Sequence, residues 1–223
     1  NTEPPLPEPR REPPSIELAD PLPIDADGVG LLDAAQGALP ETLWRGSNRA
    51  MVERLIGDIP APIVSPAVRG LALRVLASGG EPPAASAGAL PDARSFVAQR
   101  AEKLLALGDV AGAASLARLV PTRGDDATLG RVLLDAAWFT GDEAEACGLA
   151  FEQIARFDDA YRQKSLIYCQ AGRGEKERAQ LGLRMMREQA ADEDAGFAKL
   201  MALLLGESRV ALDSLKQATP LHV

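Results

Sequence analysis

A repeat of about 33 residues constrains the fold of this chain more than any other feature. A glycine followed directly by an acidic residue occurs four times, at spacings of 33, 33 and 32 residues. Glycine ends a helix easily because it tolerates the left-handed backbone conformation, and an acidic residue stabilises the start of the next helix. The repeat therefore predicts a series of helix-turn-helix units. The four pairs are Gly108-Asp109, Gly141-Asp142, Gly174-Glu175 and Gly206-Glu207.

A small residue follows each of these turns at a fixed distance. An alanine stands five positions after each glycine, at Ala113, Ala146, Ala179 and Ala211. Because the distance between two packed helices depends on the side chains between them, alanine lets the second helix of a unit approach the first closely. We therefore predict four antiparallel helix pairs. Their ranges are 93–107 with 110–120, 126–140 with 143–156, 159–172 with 175–189, and 194–205 with 207–217.

Residues 93–220 resemble tetratricopeptide repeats, whose unit is a 34-residue helix-turn-helix. In the second unit, Leu133, Ala137 and Trp138 occupy the apolar positions eight, four and three residues before the turn glycine. This chain differs from the family pattern at the positions of the early tryptophan and the first-helix glycine, where the residues concerned are Val97, Gly130 and Gln163. The closing proline of the pattern is missing or shifted. The resemblance implies an all-α fold, an α-solenoid of stacked hairpins, and a surface that binds other proteins.

An acidic, proline-rich arm precedes the helices. Eight prolines fall within the first 23 residues, and residues 1–30 hold seven acids against two arginines, a local charge of −5 out of −8 for the chain. Each proline removes a hydrogen-bond donor and restrains the residue before it, so we predict an extended arm over 1–29. Two interpretations remain open, a solvated spacer and a docking segment.

The chain between the arm and the repeats divides into two further parts. Apolar residues recur at helical spacing in short bursts over 30–77, which predicts a section of short helices. The clearest of these begins with Ser65 as its N-cap and Pro66 at its first position. Residues 78–91 are rich in glycine, proline and alanine and are predicted to be a linker to the repeat section, 92–220.

Charge and residue types exclude several function classes. A net charge of −8 disfavours nucleic-acid binding, which requires clustered Lys and Arg. No stretch approaches the roughly 20 apolar residues of a membrane span. The single histidine is His222, no nucleotide-binding or hydrolase motif occurs, and acidic pairs such as Asp125-Asp126 and Asp158-Asp159 stand where helices begin, which indicates capping. We expect no enzyme activity, metal or cofactor.

The two cysteines lie at matching heights on neighbouring predicted helices. Cys147 and Cys169 are each eleven residues from Asp158 in the turn between those helices. Antiparallel neighbours rise equally per residue, so this spacing favours a disulfide. A disulfide implies an oxidising compartment such as a periplasm, whereas the alternative is two buried thiols in a reducing cytoplasm.

The candidate protein-binding residues lie on the first helices of units two and three. In the resembling family these helices line the concave groove, and here they combine aromatic and cationic side chains, a composition typical of interfaces. We name this set the first-helix strip; it consists of Arg131, Asp135, Phe139, Tyr161, Lys164 and Tyr168. Its cations suggest an acidic peptide as ligand, including the chain's own arm. The alternative is that its aromatic residues belong to the core.

These features favour a non-enzymatic adaptor or scaffold. The segments LPETLWRG and ATPLH are similar to envelope proteins of alphaproteobacteria, which implies a bacterial envelope location. The first alternative is a structural subunit of a large periplasmic machine such as the flagellar motor, in which copies of the chain form an oligomer. The second, a cell-wall-acting enzyme, is disfavoured because no catalytic acid stands out.

Overall fold

The secondary structure is helical throughout the described part of the chain. The computed structural model describes residues 25–84, 95–188, 194–206 and Pro220. These ranges contain no strand, only two isolated bridges, which confirms the all-α prediction. Two short 3-10 helices are Ala26–Gly28 and Arg123–Asp125. The α-helices are α1 (Arg49–Asp58), α2 (Pro66–Ala77), α3 (Phe96–Ala106), α4 (Val110–Arg118), α5 (Ala127–Thr140), α6 (Glu143–Gln153), α7 (Ala160–Gly172), α8 (Lys176–Glu188) and α9 (Ala195–Leu204).

The recurring turns have the predicted backbone conformation. Gly108, Gly141, Gly174 and Gly206 adopt φ angles of 79°, 72°, 80° and 100°, in the left-handed region that favours glycine. The helices around the first three turns form the pairs α3–α4, α5–α6 and α7–α8. The second helix of the fourth pair, predicted over 207–217, lies outside the described residues, as do arm residues 1–24 and linker residues 85–91.

Acidic residues cap the repeat helices as their positions predict. The carboxylate of Asp142 accepts a hydrogen bond from the Glu145 amide at the start of α6. Equivalent side-chain caps come from Asp109, Asp126, Asp159 and Asp194. Each cap satisfies a backbone donor that the helix itself leaves unpaired. The acidic pairs at Asp126 and Asp159 are thus explained by helix capping.

Successive helices of the repeat section pack on one another. Each helix from α3 to α7 contacts the next in sequence, and α3 also contacts α5 while α7 contacts α9. The alanines after the first three turns, Ala113, Ala146 and Ala179, are completely buried between these helices. A larger side chain at these positions would separate the helices of a pair.

Two clusters of buried apolar side chains form the core. The first cluster includes Trp44, Leu76, Phe96 and residues from α1 to α5. The second cluster includes Tyr161, Phe197 and residues from α5 to α9. Helix α5 contributes to both, since it places Leu129, Val132, Leu133 and Ala136 in the first cluster and Leu134 and Ala137 in the second.

A buried arginine holds the irregular backbone of the first cluster. Arg100 is 1% exposed and donates to the carbonyl oxygens of Leu76 at 2.8 Å, Ser78 at 2.6 Å and Val29 at 2.8 Å, with a longer contact of 3.3 Å to Asp27. Burial lowers the pKa of Arg100 to about 10, and the charge of Asp27 opposes that shift. Arg100 therefore joins α3 to the end of α2 and to the end of the first 3-10 helix.

Residues 25–29, which their composition groups with the arm, belong to this arrangement. The Asp27 carboxylate accepts from the Val97 amide at 3.0 Å and from Arg49 at 2.8 Å. The chain then passes so close to residue 79 that a Cβ added at Gly30 would lie 2.0 Å from the Gly79 nitrogen. This contact explains why glycine stands at position 30.

The predicted start of α2 and the predicted cysteine pair are both found. Ser65 accepts a hydrogen bond from the Val68 amide, and Pro66 occupies the first helical position. Cys147 on α6 and Cys169 on α7 are in disulfide geometry, with Sγ atoms 1.97 Å apart and Cα atoms 5.6 Å apart. Equal distance from the intervening turn was thus a correct guide to the pairing. No helix in the described ranges is both long and apolar enough to cross a membrane.

Candidate protein-binding site

Three members of the first-helix strip come together between α5 and α7. Arg131 Nε donates to both carboxylate oxygens of Asp135, at 2.9 and 3.0 Å, one turn further along α5. The Arg131 guanidinium lies 3.3 Å from the centre of the Tyr161 ring on α7. Burial raises the pKa of Tyr161, and the negative charge of Asp135 adds to that rise. This trio links the first helices of units two and three.

Lys164 makes the corresponding link from α7 to α9. Its Nζ lies 2.8 Å from the carboxylate of Asp194, the N-cap of α9, and 5.7 Å from the centre of the Phe197 ring. Lys164 is 6% exposed. Its charge is therefore held inside the protein by a carboxylate rather than presented on the surface.

The remaining two members of the strip behave differently from each other. Tyr168 packs edge-on against Trp138, with ring centres 5.1 Å apart, and is half-buried. Burial raises the pKa of Tyr168, and the nearby carboxylate of Glu143 contributes. Phe139 is 49% exposed on α5. The structure therefore assigns Tyr168 to an aromatic pair and leaves Phe139 open to solvent.

The cations of the strip do not provide the free positive charge that an acidic ligand would require. Arg131 is paired with Asp135, and Lys164 is paired with Asp194. An acidic peptide as ligand stays a prediction, and it would have to compete with these two carboxylates. Arg131, Tyr161 and Lys164 connect α5, α7 and α9.

A cavity of about 560 Å³ lies where α5, α7 and α9 meet the turn at Gly141. Its size is within the roughly 300–1,000 Å³ of typical ligand pockets. Its lining is mainly apolar and aromatic: Trp138, Tyr168, Phe197, Leu200, Met201 and Leu204. Leu203 and Pro220 also border it. Of the strip residues, Tyr168 lines this cavity.

Two polar groups of the cavity lining have no partner among the described residues. The Trp138 Nε1 donor is fully buried and donates to no described partner. The Glu143 carboxylate at the start of α6 makes no ion pair with any described residue. It lies against the end of α7, because a Cβ added at Gly172 would be 3.1 Å from Glu143 Oε1. The cavity thus combines an apolar interior with one negative charge.

Most residues of this cavity escape prediction from the sequence. The spacing of Phe197, Leu200, Met201 and Leu204 indicates an apolar face on α9. The pattern does not reveal that this face lines a cavity, because that depends on the positions of α5 and α7. Glu143 resembles an ordinary first-turn acid, so its place at the cavity is visible only in three dimensions.

The described ranges contain no group of three or more His, Cys, Asp or Glu side chains positioned to hold a metal ion. Comparison with protein-family models, curated proteins and solved structures finds no match to this chain.

Proposed function

We propose that this chain is a non-enzymatic helical-repeat adaptor that holds partner proteins in a bacterial cell-envelope assembly. The observation that carries the proposal is the cavity at the ends of α5, α7 and α9, where aromatic and aliphatic side chains surround an unpaired indole donor. Surfaces of this composition bind protein segments, because burial of apolar area drives association and a few polar groups fix orientation.

An α-solenoid of TPR-like hairpins is the architecture that we propose for the repeat section. Its support is the contact of α3 with α5 and of α7 with α9 across the intervening second helices. The links from Arg131 to Tyr161 and from Lys164 to Asp194 also join first helices of successive units. Stacked first helices form a continuous surface, along which an extended partner segment would lie.

The exposed side chains on this surface suit binding. Arg131, Asp135 and Lys164 are engaged in ion pairs that hold helices together. Apolar side chains remain accessible beside them, since Phe139 is 49% exposed and Leu204 is 45% exposed. Exposed aromatic and aliphatic side chains beside a cavity are typical of anchoring positions in interfaces.

A periplasmic location completes the proposal. The disulfide geometry of Cys147 and Cys169 supports it, because disulfides persist in oxidising compartments and are rare in the cytoplasm. Acid quenching of intact cells, followed by alkylation under denaturing conditions without reductant, should detect no free thiol. Two alkylated cysteines would contradict the periplasmic location.

Site-specific crosslinking in the native cell tests the adaptor function. A photo-crosslinking amino acid replaces Phe139 or Leu203 on the proposed surface of first helices. Leu181 on α8 serves as the matched control because it is as accessible as Phe139, at 51%, but lies on the second helix of a pair. We expect discrete crosslinked partners from positions 139 and 203 and none from 181. Identical products at all three positions, or no products at any, would contradict the proposal.

A further inference from the structure

We propose that the cavity between α5, α7 and α9 selects a partner segment in which an apolar side chain is followed by a basic residue. The inference rests on the proposed adaptor function and adds the chemistry of the partner. It follows from two properties of the cavity: its apolar interior and the sign of its charge.

The apolar interior accepts the anchoring side chain. Phe197 and Met201 form the buried floor, 3% and 1% exposed, while Leu204 at the end of α9 is half-exposed at the rim. A leucine or phenylalanine side chain inserted here would lose contact with water on most sides, and such burial dominates the affinity of protein interfaces. A polar side chain would gain nothing from these neighbours.

The charge at the cavity selects the residue next to the anchor. Glu143 is the one charged residue that lines the cavity within the described ranges, and no described cation pairs with it. Its field is strong enough at Tyr168 to contribute to the raised pKa of that phenol. A lysine or arginine beside the anchor would neutralise Glu143, whereas an acidic residue would be repelled.

The same charge argues against the chain's own arm as the occupant. Residues 1–30 carry a net charge of −5, and the whole chain carries −8. An acidic segment would therefore meet a carboxylate rather than a cation at this cavity. Electrostatic complementarity instead favours a basic partner, which the overall charge would also attract over longer distances.

Binding of synthetic peptides tests the selectivity. Capped octapeptides present the pair Leu-Lys, Phe-Lys, Leu-Glu or Ser-Lys between Gly and Ser flanks, and calorimetry at low ionic strength measures binding to the full chain. We expect Leu-Lys and Phe-Lys to bind about tenfold more tightly than Ser-Lys, because the anchor dominates. We expect the Leu-Lys peptide to bind about fivefold more tightly than the Leu-Glu peptide, which is the effect of a partly exposed ion pair.

Variants at the cavity assign the effect to its residues. Glu143→Lys should reverse the order of Leu-Lys and Leu-Glu, whereas Glu145→Lys, two residues further along the first turn of α6, should not. Leu204→Asn, which adds no charge, should lower Leu-Lys affinity about tenfold. Because Leu204 is the half-exposed last residue of α9, this variant should retain its helical circular dichroism.

The outcomes separate this inference from the adaptor function. Failure of every peptide to bind, or equal binding of Leu-Lys and Leu-Glu, overturns the selectivity; so does an unchanged order in Glu143→Lys. Crosslinks from positions 139 and 203 without peptide selectivity would leave the adaptor function standing and remove this inference alone. Absence of both would remove the two together.

Discussion

The two core clusters are stabilised by different kinds of contact. In the first cluster, long cationic side chains donate to backbone carbonyls: Arg100 to residues 29, 76 and 78, Arg69 to Leu107, and Lys103 to residues 57 and 59. In the second cluster, side chains join helix to helix through the disulfide, the Arg131–Tyr161 contact and the Lys164–Asp194 pair.

The difference follows from where the accepting carbonyls lie. Those of the first cluster stand in the last turn of a helix or directly after it, where no helical amide is available to them, so buried ones require donors from elsewhere. Arg162 shows that the second cluster also uses such contacts, because it is buried and donates both to the carbonyl of Ala127 and to Gln153. The first cluster is thus joined mainly through helix ends, and the second mainly through pairs of side chains.

The two tryptophans allow each cluster to be measured separately. Trp44 belongs to the first cluster, and Trp138 packs against the second. The chain has no other tryptophan. The Trp138→Phe variant keeps Trp44, so its fluorescence follows unfolding of the first cluster. The Trp44→Phe variant keeps Trp138, so its fluorescence follows unfolding of the second cluster.

Loss of Arg100 should have the largest effect. Arg100→Leu removes the donor of three short hydrogen bonds and leaves buried carbonyls unsatisfied, so the free energy of unfolding reported by Trp44 should fall by about 3–5 kcal/mol. Urea titration gives the value. Lys103→Met, on the same helix but closer to solvent, should cost only about 1 kcal/mol. Equal losses in the two variants would contradict a special role for Arg100.

Removal of the disulfide should come next and should act on the other cluster. Cys147→Ser with Cys169→Ser frees a loop with a sequence separation of 22, for which chain entropy gives about 3 kcal/mol. Urea unfolding followed by Trp138 should show this loss, and unfolding followed by Trp44 should show a smaller one. A larger loss of unfolding free energy reported by Trp44 than by Trp138 would contradict the assignment of the disulfide's effect to the second cluster.

Alkaline pH should produce the smallest change, again in the second cluster. Tyr161 and Tyr168 are the two tyrosines of the chain, and the fold raises both pKa values above 10. Above pH 10 the unfolded chain loses phenolic protons that the folded chain retains, so the two tyrosines lower stability as pH rises. Arg100, whose pKa the fold lowers to about 10, acts in the opposite sense, and comparison with Tyr161→Phe removes its contribution. At one pH unit above 10, the free energy of unfolding of Tyr161→Phe should have fallen by about 1 kcal/mol less than that of the unchanged protein.

Absorbance of tyrosinate checks the alkaline prediction directly. The native protein should show little tyrosinate at pH 10, whereas the urea-unfolded chain should be about half ionised there. Equal titration of the two states would contradict the burial of both rings.

The sequence predicted the local elements of the repeat section well and its contacts between units poorly. Gly141 and Asp142 specify a turn and a cap within a few residues, so their roles are readable from the pattern. The burial of Lys164 depends on Asp194, thirty residues away on another helix. Projection along one helix places Lys164 on a face but does not show that α9 covers that face.

Arg100 illustrates the same limit in the first cluster. An arginine on an amphipathic helix usually extends into solvent, and nothing in residues 96–106 distinguishes this one. Its burial depends on carbonyl groups from residues 27–29 and 76–78, and no periodic pattern in the sequence indicates that these residues lie beside α3. The cysteine pair was predictable because its spacing needed only the rise of two adjacent helices.

Helix α5 has a consequence for how the molecule responds to a ligand. Its residues enter both clusters, and Trp138 near its end lines the cavity. In repeat proteins stability passes between neighbours through such shared interfaces. A ligand bound at the end of α5 would therefore slow amide hydrogen exchange in α3 and α4 as well. Binding at the second cluster would thus stabilise the first.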